Sequence, residues 1–235
     1  MDSIAFDLNL AMENPEYPGI RVLAAFFELK RYLEKINDVV QFTQDQELVR
    51  FRAMLEKQGR VLGREDLKDK LRDLEYVALN LVPRFFKGAF VIALCAAYES
   101  AVDDIANFVR LKENARLKIG DLRESITHKR ITLYLESVLG TSYALRPELM
   151  VRLDELCDVR NCLGHANGDL TNEKENRLRR LEALARAGCG LAIRDKSLVV
   201  DDSFCRKYLG HVTEAVNELL ARINEKYAKP SPKAV

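Results

Sequence analysis

The chain has 235 residues, 48% of them hydrophobic, enough for one large or two small domains with a sizeable core. Lys and Arg number 37 against 36 Asp and Glu, a net charge of +1, so the global basic footprint of a stable duplex binder is absent; a small cationic groove is still compatible with it. Met1 runs into Asp2, Asp7 and Glu13 instead of a secretory leader, and the longest apolar run, Gly88 to Ala97, is too short to span a bilayer. The cysteines Cys95, Cys157, Cys162, Cys189 and Cys205 are odd in number and form no C-x-x-C, so they read as reduced, mostly buried thiols of a cytoplasmic protein with no membrane association.

In chain order the expected elements are helical. Residues 1–19 form a short lead ending in the turn Pro15-Glu16-Tyr17-Pro18-Gly19. Val22, Phe26, Leu29, Leu33 and Ile36 then predict a helix from Ile20 to about Phe42. Thr43 is an N-cap for a second helix to about Gln58, closed by Gly59, which makes residues 1–62 a charged, amphipathic helical extension built as a hairpin. Gly63, Glu65 and Asp66 start a helix with Leu67, Leu71, Leu74 and Val77 on one face, interrupted by Pro83. Arg84 to about Lys112 is apolar on most sides and predicts a central buried helix.

Asp121 caps a short segment, and Thr127 to Leu139 is a helix ended by Gly140. Pro147 suits the first turn of the next helix. Asn172 caps a charged helix from Glu173 to Ala187, ended by Gly188 and Gly190. Leu191 to Val200 reads as two short strands around a polar turn, a hairpin that needs support from helices. Ser203 caps the last helix, to about Tyr227, and residues 229–235 read as a disordered tail. The expected fold is therefore all-α: a helical bundle over 63–228, an N-terminal helical extension over 1–62, and one small β-hairpin.

The segment Arg160-Asn161-Cys162-Leu163-Gly164-His165 carries the chemistry. On an ideal helix with Leu149 at 0°, Leu153, Leu156 and Leu163 fall within about 40°, and Arg160 at roughly 20° lies inside that apolar seam. Asn161 and His165 fall at roughly 120° and 160°, on one face. A charge in an apolar stripe needs a partner, which an internal carboxylate, a second subunit or a phosphate can supply. Gly164 leaves room for a backbone or ligand to approach. The plain alternative is a snorkelling arginine and a helix-end histidine near a Gly168 C-cap. The seam placement, the neighbouring Asn161 and the all-helical setting argue for more than that.

With these residues in place, the stretch L-D-E-L-C-D-V-R-N-C-L-G-H-A-N-G, Leu153 to Gly168, resembles the HEPN superfamily, whose signature is an Arg, a short spacer and a His, often with Asn directly after the Arg. The helix F-V-I-A-L-C-A-A-Y-E-S-A-V, Phe90 to Val102, is similar to the earlier HEPN helix that carries a Glu or other polar residue near the site. The resemblance covers roughly residues 84–225. It implies a metal-independent endoribonuclease, often a toxin or antiviral defence effector, that cuts single-stranded RNA through a 2′,3′-cyclic phosphate. His165 is then the general base or acid, Arg160 the phosphate ligand, and Asn161 a residue that orients His165 or supports the dimer helix. It also implies a homodimer through the motif helix and an antitoxin or sensor partner, with no cofactor and no metal. The alternative within the same superfamily is a non-catalytic module that binds a partner protein, RNA or nucleotide.

Glu99 and Asp103, four residues apart on the buried helix, are supporting candidates. Glu99 as a partner of Arg160 or His165, and Glu99 as an ordinary salt bridge to a neighbouring Lys, weigh about equally. Other chemistry is sparse. There is no phosphate-binding glycine loop, nucleophile elbow or H-E-x-x-H. His128 and His211 stand alone and read as surface or satisfied helix residues. Asp103-Asp104 and Asp201-Asp202 are neighbours that do not share a helix face. No His or Cys completes a zinc set with Cys157 and Cys162.

Overall fold

The computed structural model describes residues 7–58, 64–77, 81–140 and 142–227. Eight α-helices are present among them: α1 (Leu8–Glu13), α2 (Gly19–Gln58), α3 (Arg64–Tyr76), α4 (Val82–Lys112), α5 (Thr127–Leu139), α6 (Pro147–Ala166), α7 (Glu175–Arg186) and α8 (Asp202–Tyr227). The strands β1 (Leu191–Arg194) and β2 (Ser197–Val200) pair antiparallel, Leu191 against Val200 and Arg194 against Ser197. The all-α class with one small hairpin is what the residue pattern predicts. Gly59, Gly63 and residues 229–235 lie outside the described residues.

Three local expectations are corrected. The break at Thr43 does not exist, since α2 runs unbroken for 40 residues. No Gly or Pro lies between Ile20 and Gln58, and a lone Thr costs a helix only a few tenths of a kcal/mol, so nothing there stops propagation. Asn172 does not cap α7; the N-cap position is Lys174, and its N–H donates to Glu173 Oε1 at 2.9 Å. Ser203 does not cap α8 either. Asp201 does, its Oδ1 accepting from the Phe204 N–H at 3.1 Å and from Ser203 Oγ at 2.7 Å.

The chain divides into two compact units. The first joins residues 1–29, 94–157 and 208–235; the second joins 30–93 and 158–207. Helices α2, α4, α6 and α8 each contribute a stretch to both.

In the first unit, Val102, Ile105, Phe108 and Val109 of α4 are buried, as are Ile131, Tyr134 and Leu135 of α5. Leu149, Leu153 and Leu156 of α6 and Val212, Val216, Leu219 and Ile223 of α8 complete this core. Phe108 sits edge-on between Tyr17, at 5.7 Å, and Tyr227, at 5.6 Å. Each of those tyrosines finds a polar partner: Tyr17 donates to Asn224 Oδ1 at 2.7 Å and Tyr227 to Glu113 Oε1 at 2.6 Å. Polar pairs tie down the first half of α6. His128 Nε2 lies 3.1 Å from Asp154 Oδ1, and Tyr208 donates to Glu155 Oε2 at 2.6 Å. His128 is wholly buried, not a surface residue, and His211 packs edge-on against the Tyr208 ring at 5.6 Å.

The second unit is built on Leu33, Ile36 and Val40 of α2, Phe90 and Val91 of α4, and Val159, Cys162 and Leu163 of α6, all buried. Leu181 and Leu184 of α7, Leu198 and Val200 of β2, and Phe204 and Cys205 of α8 cover it. The β1–β2 turn places Asp195 (φ 47°) and Lys196 (φ 59°) both in the left-handed region, the hairpin turn that matches strand twist. Gly190 (φ 81°) leads into β1, and a β-carbon there would overlap Asp201 Oδ1, Ser203 Oγ and the Phe204 nitrogen. By length and composition alone, α4 could cross a bilayer. Here its Phe90, Val91, Leu94, Val102 and Ile105 are buried within the chain.

Candidate active site

The sequence singles out the last two turns of α6, and these belong to the second unit. Leu149, Leu153, Leu156 and Leu163 are all buried, as a single apolar seam requires. Arg160, at the seam position of its turn, is half-buried, and Val159 and Cys162 fill the interior beside it. Its Nη1 donates to Asn161 Oδ1 at 3.1 Å. Among the described residues no carboxylate pairs with Arg160.

The contrast with the neighbouring arginines is sharp. Asp158, two residues before Arg160, receives Arg180 at 2.6 and 2.9 Å and Arg177 at 3.4 Å. Glu173 takes a second bond from Arg177 at 2.9 Å. Local acids neutralise those two guanidinium groups, and that of Arg160 rests on a neutral amide. His165 and Gly164 are exposed, and a β-carbon at Gly164 would meet nothing within 4 Å. His165 makes no hydrogen bond or ion pair with any described residue, so Asn161 steadies Arg160 and not His165.

The helix stops just beyond His165 because Asn167 (φ 49°) and Gly168 (φ 78°) are both left-handed. Gly168 N–H donates to Cys162 O at 3.1 Å and Asp169 N–H to Ala166 O at 2.8 Å. The exit segment then pairs with the hairpin: Leu198 N–H donates to Gly168 O at 2.7 Å and Leu170 N–H to Lys196 O at 2.9 Å. A β-carbon at Gly168 would come within 3.1 Å of the Leu198 carbonyl oxygen. Arg84, in the first turn of α4, donates Nη2 to Asn167 O. Three bonds from two other elements thus hold the backbone two to five residues past His165. Nothing in the sequence connects Arg84 with α6.

Burial pushes the Cys162 thiol up to about 11, and the Glu173 carboxylate adds to this, so it stays a neutral thiol near pH 7. The Thr171 hydroxyl, then its N–H, hold the Asp169 carboxyl below the ordinary range, with Arg84 and Lys196 contributing. Cys157 is half-buried; the other four cysteines are buried. Glu99 and Asp103 belong to the first unit, on the exposed side of α4. Neither makes a hydrogen bond or ion pair with a described residue. Among the described residues no group of three or more His, Cys, Asp or Glu is placed to hold a metal ion.

Comparison with protein-family models, with curated proteins and with solved structures found no match to this chain.

Proposed function

We propose that this chain is a HEPN-like endoribonuclease that cuts single-stranded RNA without a metal, with Arg160 and His165 as its working pair. One observation carries the reading: a half-buried guanidinium with no acid partner among the described residues lies five residues before an exposed imidazole on one rigidly ended helix. A guanidinium in that state is matched to an anion, and phosphate is one that its planar fork binds bidentately. The imidazole is a group that can accept or deliver a proton. In the reaction the 2′-oxygen attacks phosphorus as its proton leaves, the bond to the 5′-oxygen breaks, and that oxygen takes up a proton. A 2′,3′-cyclic phosphate and a 5′-hydroxyl result. His165 carries the first or the second of these protons; Arg160 holds the non-bridging oxygens as charge builds. Asn161 holds Arg160 in place. A homodimer across the open face at Gly164 and His165 would give one cleft two such sets, one to take a proton and one to return it. A toxin or defence role, with an antitoxin or sensor that restrains the enzyme, accords with the same resemblance.

The test is incubation with end-labelled RNA in EDTA, beside His165→Ala. Cleavage by the parent alone, with cyclic-phosphate ends, is the expected result; activity abolished by EDTA would sink the mechanism.

A second reading, a non-catalytic module that binds RNA, nucleotide or protein, draws on one observation. Asp158 and Glu173 quench two of the arginines beside the motif, leaving little cationic surface to track an RNA strand. Binding by the parent that is lost in Arg160→Gln, with no cleavage by either, would select it.

A further inference from the structure

The second half of α2 lacks a core on which to rest. Leu33, Ile36 and Val40 are buried, but from Gln41 to Lys57 no residue is. Thr43, Gln44, Glu47, Leu48, Phe51 and Leu55 are half-covered along one side. Away from them run Val39, Phe42, Gln46, Val49 and Ala53, all exposed; Phe42 keeps 65% and Val49 62% of its surface in contact with solvent. Their spacing alternates three and four residues, the a/d repeat of a coiled-coil seam. A helix of this length holds together in water chiefly through the packing of such a stripe.

We propose that this face is the site where a second copy of the chain docks, as a short antiparallel two-helix coiled coil. Charge selects both partner and direction. The positions that flank the seam are acidic early, at Asp38 and Asp45, and basic late, at Arg50, Arg52 and Lys57. Among the described residues Asp45 bonds only to the Gln41 amide, at 3.3 Å, and Arg52 makes no ion pair. Antiparallel pairing about a two-fold axis between Glu47 and Leu48 sets Phe42 against the second copy's Ala53 and Gln46 against its Val49. It also puts Asp45 beside the second copy's Arg52, twice by symmetry. Parallel pairing would set Asp45 beside the second copy's Arg50 but also Arg52 against its Lys57, so its charges cancel where those of the antiparallel pair add. The pairing is independent of RNA cleavage and stands or falls without it.

The experiment is sedimentation velocity on the full chain, with far-UV circular dichroism to show that helix content is kept. The expected result is a self-associated parent whose mass is halved in Phe42→Glu/Val49→Glu. Asp45→Arg and Arg52→Asp, each alone, should weaken association about tenfold or more, since each turns two attractions into two repulsions. The combined swap Asp45→Arg/Arg52→Asp restores opposite charges across the axis and should recover the parent's affinity. A monomeric parent, an unchanged mass in Phe42→Glu/Val49→Glu, or a combined swap no tighter than the single changes would overturn the proposal.

Discussion

Gly188 and Gly190 offer an internal control two residues apart. Both have positive φ, 67° and 81°, so alanine at either carries the left-handed penalty, partly offset by a less free unfolded chain, for a net cost of about 1 kcal/mol. A β-carbon at Gly188 meets nothing within 4 Å, so the cost stops there. At Gly190 it would overlap Asp201 Oδ1, Ser203 Oγ and the Phe204 backbone nitrogen. The two side chains can swing away only by giving up the cap on α8, which costs about 1 kcal/mol. The nitrogen belongs to the first turn of α8 and cannot swing, so backbone must shift, adding about 1–3 kcal/mol. Gly190→Ala should therefore cost about 3–5 kcal/mol against about 1 for Gly188→Ala. For a chain of this size that is a fall in Tm of roughly 6–20 °C against roughly 2–4 °C. Calorimetric melts of the two variants at one pH read the difference. Equal melting temperatures would refute the assignment of Gly190 as the close approach that locks β1 to the start of α8.

Two further outcomes follow from the polar pairs. Burial lowers the His128 pKa by more than the Asp154 carboxylate raises it, so the unfolded chain binds a proton near pH 6.5, about its ordinary value, that the folded chain refuses. Stability should fall as pH drops below about 6.5, and His128→Gln should flatten that slope; parallel Tm-against-pH curves for parent and variant would count against it. In single-turnover cleavage, Arg160→Gln should lose about 10²–10³ in rate and Arg160→Lys nearly as much, because a point charge does not replace the planar fork. Asn161→Ala should lose only about tenfold, as a positioning residue that acts through Arg160. Equal losses for Asn161→Ala and Arg160→Gln would place the amide, not the guanidinium, on the phosphate.

Elements with strong periodicity and clear stops were legible from the residues. α5 begins at Thr127 and ends at Gly140, α6 begins at Pro147, and the hairpin spans Leu191 to Val200, all as the pattern demands. What failed were the caps. Thr43, Asn172 and Ser203 are good capping residues by type, but a cap forms only where the backbone leaves the helix, and neighbours decide that. At α8 the backbone enters the helix at Asp202, so Asp201 sits where its Oδ1 accepts the Phe204 N–H, and it binds the Ser203 hydroxyl as well. The motif was legible as Arg160, Asn161 and His165 on one helix. The Arg160–Asn161 bond and the Arg84 contact were not, because rotamers and long-range packing leave no mark in local spacing.

The hairpin, which the residues alone identify only as two strands in want of support, bears directly on the motif. Its backbone takes up both sides of the segment that leaves α6, and Arg84 closes a third side at Asn167. A histidine on a frayed helix end would have a wandering backbone; that of His165 lies one residue before the end of α6, and the segment that follows is fixed by bonds to two other elements. Preorganisation of that kind is what proton transfer at a bound phosphate requires, since a misplacement of about 1 Å can cost on the order of 10²-fold in rate. On the proposed function the hairpin and Arg84 would act only by positioning the end of α6, so damage to either should lower the cleavage rate although Arg160 and His165 are themselves unchanged.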